Sequence, residues 1–324
     1  MTFVSCSRVR GEISYFNKLG SALNLFSKFS LITVLVSMLV LVGCAGEDGA
    51  EGPQGPAGPP GADWPGPVPA AYTAANGIAG GAAYSQWYSK DGGGNDTLAS
   101  YGVTVASDFI RCKACHGWDG VGSAGSYANR TGVSSGSASR PDVSDANLRR
   151  AVVSATYQEL YDLVARQAGR TLNSASSGHP NYSAVLTESQ VWNIVKFLRE
   201  EFVNTNELYD LQISGAAMHY EWDGTAWVLR SPTVTYSNIG KNGNATNGRA
   251  IYNANCVDCH GTDGKTLPTG GLSGIGQFTR SKPNEAWFKV KFGQPPAMDP
   301  GLVTTTSDLK DLYMALADTV VFPN

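Results

Sequence analysis

Two stretches of the chain carry apolar residues at helical spacing. In "TESQVWNIVKFLREEF", Val191, Ile194, Val195, Leu198 and Phe202 fall on one face, and Thr187 with Gln190 three residues on makes a capping box. In "SDLKDLYMALADTV" the stripe is Leu309, Leu312, Tyr313, Leu316 and Val320, with Ser307 as the expected N-cap. Shorter helices are expected at "YQELYDLVARQ" and "NEAWFKVKF". Between the two halves, "MHYEWDGTAWVLR" alternates around an Asp223-Gly224 pair, which predicts a β-hairpin. The pattern gives a mainly α fold. Two helical modules, 71–204 and 236–324, are joined by a connector, 205–235.

The N-terminal pattern is of another kind. An apolar run from Leu31 to Val42 follows Arg8, Arg10, Lys18 and Lys28, with Glu12 as the only acid. It falls short of the roughly 20 residues needed to span a bilayer, and it suits the core of an export signal over 1–43. The run ends in "LVGC", which resembles the bacterial lipoprotein box. That resemblance implies lipidation at Cys44, and Ala45 after it favours the outer membrane. Segment 44–70 then places glycine at 46, 49, 52, 55, 58 and 61, a collagen-like Gly-X-Y series followed by "WPGPVP". It reads as an extended tether, at about 3.1 Å per residue, with trimerisation the alternative.

Composition narrows the function classes. The 324 residues carry a formal charge of −3, so no basic footprint for nucleic acid is present. The six cysteines are Cys6, Cys44 and two pairs, Cys112/Cys115 and Cys256/Cys259. Each pair belongs to a Cys-x-x-Cys-His-Gly motif, "CKACHG" and "CVDCHG". A structural zinc site needs four ligands, and neither pair has a second pair of its own. A dithiol redox motif leaves the following histidine unexplained. Covalent attachment of a c-type haem uses every residue of the motif: two thiols for the two vinyl groups, and the histidine for the iron. Export agrees with that chemistry.

"CHGWDG" and "CHGTDG" resemble the haem-binding loop of class I c-type cytochromes, and "GQPPAMDPGL" before the last helix is similar to that family's distal-methionine loop. The resemblance covers both modules and is fuller in the second. It implies two covalent haem c groups and electron transfer as the activity. Thioether roles carry over to Cys112, Cys115, Cys256 and Cys259, proximal roles to His116 and His260, and a distal role to Met298. The first module departs from the pattern, with no methionine between Cys112 and Phe202. Its corresponding loop, "SSGHPNYSAV", offers His179 as sixth ligand. Met218 and His219 in the connector, or an open iron, are the competing readings. A methionine ligand raises the potential of its haem above that of a bis-histidine haem.

Trp118, Trp287 and Tyr252 read as haem-packing aromatics or as electron-hopping stations, and Arg111, Arg280 and Lys291 as candidate propionate partners. The resulting expectation is an electron carrier in the cell envelope, not an enzyme, with redox proteins or external acceptors as partners. A dihaem peroxidase and the electron-accepting subunit of a dehydrogenase are the alternatives.

Overall fold

The computed structural model describes residues 66–324, apart from 89–97, 106, 131–146, 175–177 and 295–297. The expected export segment, Cys44 and nearly all of the spacer lie outside the described residues. Among the described residues, eleven α-helices and four short strands follow in order. The first half holds α1 (Ala70–Ala74), α2 (Gly77–Gln86), α3 (Cys112–His116), α4 (Leu148–Ser154), α5 (Tyr157–Ala165) and α6 (Glu188–Lys196). The strands β1 (Asp210–Ser214), β2 (His219–Trp222), β3 (Trp227–Arg230) and β4 (Thr233–Ser237) come next. The second half holds α7 (Ala245–Asn255), α8 (Val257–His260), α9 (Ile275–Ser281), α10 (Pro283–Phe292) and α11 (Thr306–Ala317).

The strands form a nested antiparallel ribbon. β2 pairs with β3 about the Asp223-Gly224 turn, and β1 pairs with β4 outside them. Asp223 closes the turn by accepting from the Thr225 and Ala226 N–H groups, and Gly224 takes φ +102.

The same two-helix crossing is built twice. α2 starts at Asn76, whose side chain caps the Ala79 N–H, and α7 starts at Asn244, which caps Thr246 and Asn247. The backbone N–H of each cap residue donates to a side chain on the closing helix, Asn76 to Asn193 Oδ1 and Asn244 to Asp311 Oδ1, both at 2.7 Å. One turn into each helix a glycine permits backbone contact. A Cβ on Gly80 would stand 1.9 Å from the Asn193 carbonyl oxygen, and one on Gly248 would stand 1.8 Å from that of Asp311.

Both closing helices bury most of the expected stripes, while Phe202 follows the first helix and is half-buried. The Thr187/Gln190 capping box is present, and Val191, Ile194, Val195 and Leu198 are buried. α6 departs from expectation near its end, where Phe197–Glu201 makes a π turn instead of continuing the α ladder. In α11 the cap is Thr305 rather than Ser307. The run 304–307 offers four hydroxyls, and Thr305 is the one with an acidic residue three positions on, so its side chain takes the Asp308 N–H at 3.0 Å. Val320 lies beyond the helix and is 89% exposed. α5 has its own capping box, Thr156 with Glu159, and ends on Arg166 in the left-handed region. Helices α4 and α9 did not show in the hydrophobic pattern.

The described residues fall in one compact unit, with buried side chains from both halves in one core cluster. α10 is the joint. Its Phe288 meets Trp118 at 4.7 Å and Tyr84 at 6.0 Å between ring centres, and its Trp287 meets Phe202 at 5.5 Å. Phe292 meets Phe197 at 5.2 Å. A Cβ on Gly81 would strike the Phe292 ring at 2.3 Å, so α2 lies flat on that aromatic face. Lys291, 4% exposed, reaches Glu201 Oε2 at 2.9 Å across the joint.

Candidate haem-attachment sites

The two Cys-x-x-Cys-His segments fold alike. Each is a single helical turn, α3 over Cys112–His116 and α8 over Val257–His260 with Cys256 at its cap. Each stops at a glycine in nearly the same conformation, Gly117 at φ 74, ψ 174 and Gly261 at φ 77, ψ 171. A side chain is strained there, so the glycine belongs to the turn itself. A tyrosine from the preceding crossing helix then fastens that glycine. Tyr84 Oη donates to the Gly117 carbonyl and Tyr252 Oη to the Gly261 carbonyl, both at 2.6 Å.

The asparagine, glycine and tyrosine of this arrangement share one spacing, 76/80/84 and 244/248/252. Sequence reasoning singled out Tyr252 alone, as a haem-packing or hopping aromatic, and missed the other five. The signal is present in the residues, but Tyr252 stands four positions before Cys256, whereas an inserted segment separates Tyr84 from Cys112.

The four motif cysteines form no disulfide. Burial pushes the Cys112 thiol up to about 12 and the Cys256 thiol to about 11, the opposite of the lowered values that mark dithiol redox motifs. Among the described residues, no group of three or more His, Cys, Asp or Glu is arranged to hold a metal ion, so the two motifs do not converge on one.

The His116 and His179 rings stand 6.4 Å apart, centre to centre, at 49°. That spacing leaves room for one iron ion between the two rings, which His116 and His179 would hold together. The His179 Nδ1 lies 2.8 Å from the Pro180 carbonyl oxygen. A carbonyl only accepts, so Nδ1 carries the proton and Nε2 keeps its lone pair for a metal. Burial lowers the pKa of His179 below the usual imidazole value, ahead of the opposing hydrogen bond to Pro180, which favours the neutral ligand form. His260 is shifted in the same direction by burial, and its Nδ1 is buried without a protein hydrogen-bond partner. These side chains fit an iron-bound macrocycle.

Met298 occupies the loop position that corresponds to His179. The Arg170 N–H donates to the His179 carbonyl at 3.0 Å, and the Gln294 N–H donates to the Met298 carbonyl at 2.9 Å. The residue before each donor is a glycine packed against that same carbonyl, Gly169 at 2.6 Å and Gly293 at 2.5 Å from a Cβ to the oxygen. Arg170 also fastens its loop through the Gly178, Ser174 and Phe109 carbonyls. His219, by contrast, sits exposed in β2, with Nδ1 beside the Ala217 carbonyl.

The other candidates are engaged within the protein. Arg111 pairs with Asp108, Arg280 binds the Leu316 carbonyl and Asn324, and Lys291 pairs with Glu201. Trp118 and Trp287 face the joint between the halves, and Tyr252 holds the attachment turn.

Two helical halves, each with a Cys-x-x-Cys-His turn pinned by a crossing helix, define a haem-attachment protein. The family model for cytochrome c matches residues 99–201, and that for cytochrome c oxidase, cbb3-type, subunit III matches residues 243–313. The chain belongs to the class I c-type cytochrome family. Its cytochrome c domains imply covalently bound haem c and haem-based electron transfer. Comparison with the curated proteins and with the solved structures finds no match. The first matched stretch begins after α2.

Proposed function

We propose that the chain is a dihaem electron carrier, lipid-anchored at Cys44 in the outer membrane of a bacterial envelope. One haem is bonded to Cys112 and Cys115 and ligated by His116 and His179. The other is bonded to Cys256 and Cys259 and ligated by His260 and Met298. The spacing of the His116 and His179 rings carries this reading, and the matching carbonyl contacts of His179 and Met298 extend it to the second site. A bound haem supplies one-electron ferric/ferrous chemistry. The protein supplies two half-buried imidazoles whose burial favours the neutral form, a fixed tautomer at His179 and two glycine turns held by tyrosines.

An occupied position opposite His116 favours a carrier over a peroxidase, which needs an accessible distal side. The unlike sixth ligands set the potentials apart, with the Met298 site higher. The spacer lets the folded part meet redox proteins or external acceptors away from the lipid.

Mass spectrometry and pyridine haemochrome spectra of the purified protein test the count: two covalent haems are expected, one remaining in Cys112→Ser/Cys115→Ser. A single haem in the parent would overturn the reading. Palmitate labelling that is lost in Cys44→Ser tests the anchor.

A further inference from the structure

Trp118 follows His116 by two residues, and its counterpart in the second half is Thr262. Thr262 is exposed, whereas Trp118 is only 4% exposed and lies against Phe288 of α10 at 4.7 Å between ring centres. Lys113 Nζ covers the same indole at 4.0 Å, so the first attachment turn is closed over by the second half of the molecule. From Phe288 the contact runs to Phe292 at 4.6 Å, the last residue of α10. Gly293 and Gln294 follow, and Gln294 exchanges two backbone hydrogen bonds with Met298, at 2.9 and 3.1 Å. Bonded atoms and close ring contacts thus lead without a break from one candidate iron ligand, His116, to another, Met298.

We infer that the Trp118–Phe288 contact is the route by which an electron crosses between the two haem sites, with Trp118 a positioning and coupling residue. The inference rests on the dihaem reading above. Haems held by His116 with His179 and by His260 with Met298 would supply the one-electron ferrous/ferric couples, so that the electron lost at the first site is the one gained at the second. No bond forms or breaks, and no proton moves. The direction follows from the higher potential conferred by the thioether ligand. The tryptophan stands where the two halves meet, and the second attachment turn has an exposed threonine at the same position.

The test uses the full-chain holoprotein. Pulsed one-electron reduction is followed by absorbance at both haems, with equilibrium potentials and hydrogen exchange of α10 measured on the same samples. The parent is expected to show a concentration-independent phase in which one haem reoxidises as the other is reduced. Trp118→Leu is expected to slow that phase by about tenfold, because a gap in a close-packed contact removes the touching atoms. Trp118→Phe, which keeps a ring, is expected to restore most of the rate. Trp118→Leu with Phe288→Leu should be little slower than either alone, since both act on one contact. Unchanged potentials and α10 protection in these variants would exclude undocking as the cause.

A parent with two haems and no intramolecular phase would overturn the inference. So would a Trp118→Leu protein that equilibrates at the parent rate, or a rate loss accompanied by loss of α10 protection in both Trp118 variants. A single-haem parent would instead overturn the dihaem reading, which the haem count detects separately.

Discussion

Gly80 and Asn193 approach so closely that a Cβ on the glycine would stand 1.9 Å from the asparagine carbonyl oxygen, and Gly248 repeats the relationship with Asp311 at 1.8 Å. The obstacle in each case is helix backbone, which cannot swing aside as a side chain can. Gly80→Ala and Gly248→Ala are each expected to destabilise the protein by about 2–3 kcal/mol, the upper part of the range for overpacking a tight contact. Chemical denaturation read by circular dichroism checks this. A loss below half a kcal/mol in either variant would show that the crossing is looser than described.

The tyrosine hydroxyls above the attachment turns make a second matched pair. Tyr84→Phe and Tyr252→Phe keep the ring and remove one hydrogen bond to the Gly117 or Gly261 carbonyl. Each is expected to lower stability by about 1–2 kcal/mol, more for Tyr84, whose bond is fully buried. Both haems should still attach, because the cysteines and the glycine turns are untouched.

Lys291 and Glu201 tie the halves together from inside the joint. Lys291→Met leaves the Glu201 carboxylate without its ammonium partner and is expected to destabilise by about 1–3 kcal/mol. Adding Glu201→Gln should recover part of the loss, since replacing both members of a largely buried pair is better tolerated than removing one. A double-mutant cycle gives the coupling, and strict additivity would show that the pair contributes nothing to the joint.

The loops that present His179 and Met298 can be disturbed one at a time. Gly169→Ala pushes a methyl group against the His179 carbonyl, and Gly293→Ala does the same to Met298, with added strain at φ 71. The reduced parent is expected not to bind carbon monoxide, and each variant to bind it at one haem only. Carbon monoxide binding at full stoichiometry in the reduced parent would contradict a filled sixth position.

The closing helices, the hairpin and the attachment motifs were legible in the sequence because each depends on local chemistry: a stripe, a capping box, an Asp-Gly turn, a fixed spacing. The start of α11 was misplaced by two residues because Thr304, Thr305, Thr306 and Ser307 all offer a hydroxyl, and only the acidic Asp308 distinguishes Thr305. The π turn at Phe197–Glu201 and the burial of Trp118 depend on packing between segments far apart in sequence, for which a single chain gives no periodic signal. The repeated asparagine, glycine and tyrosine are a different case. They are readable once the two halves are aligned from α2 and α7 instead of from the cysteines.

The pairing of His116 with His179, against His260 with Met298, is the central claim. A redox titration of the holoprotein, followed by electron paramagnetic resonance, tests it most directly. The account predicts two low-spin ferric signals of equal weight, one with bis-imidazole and one with imidazole–thioether character, the first disappearing at lower potential. A single signal type titrating in one wave would contradict it.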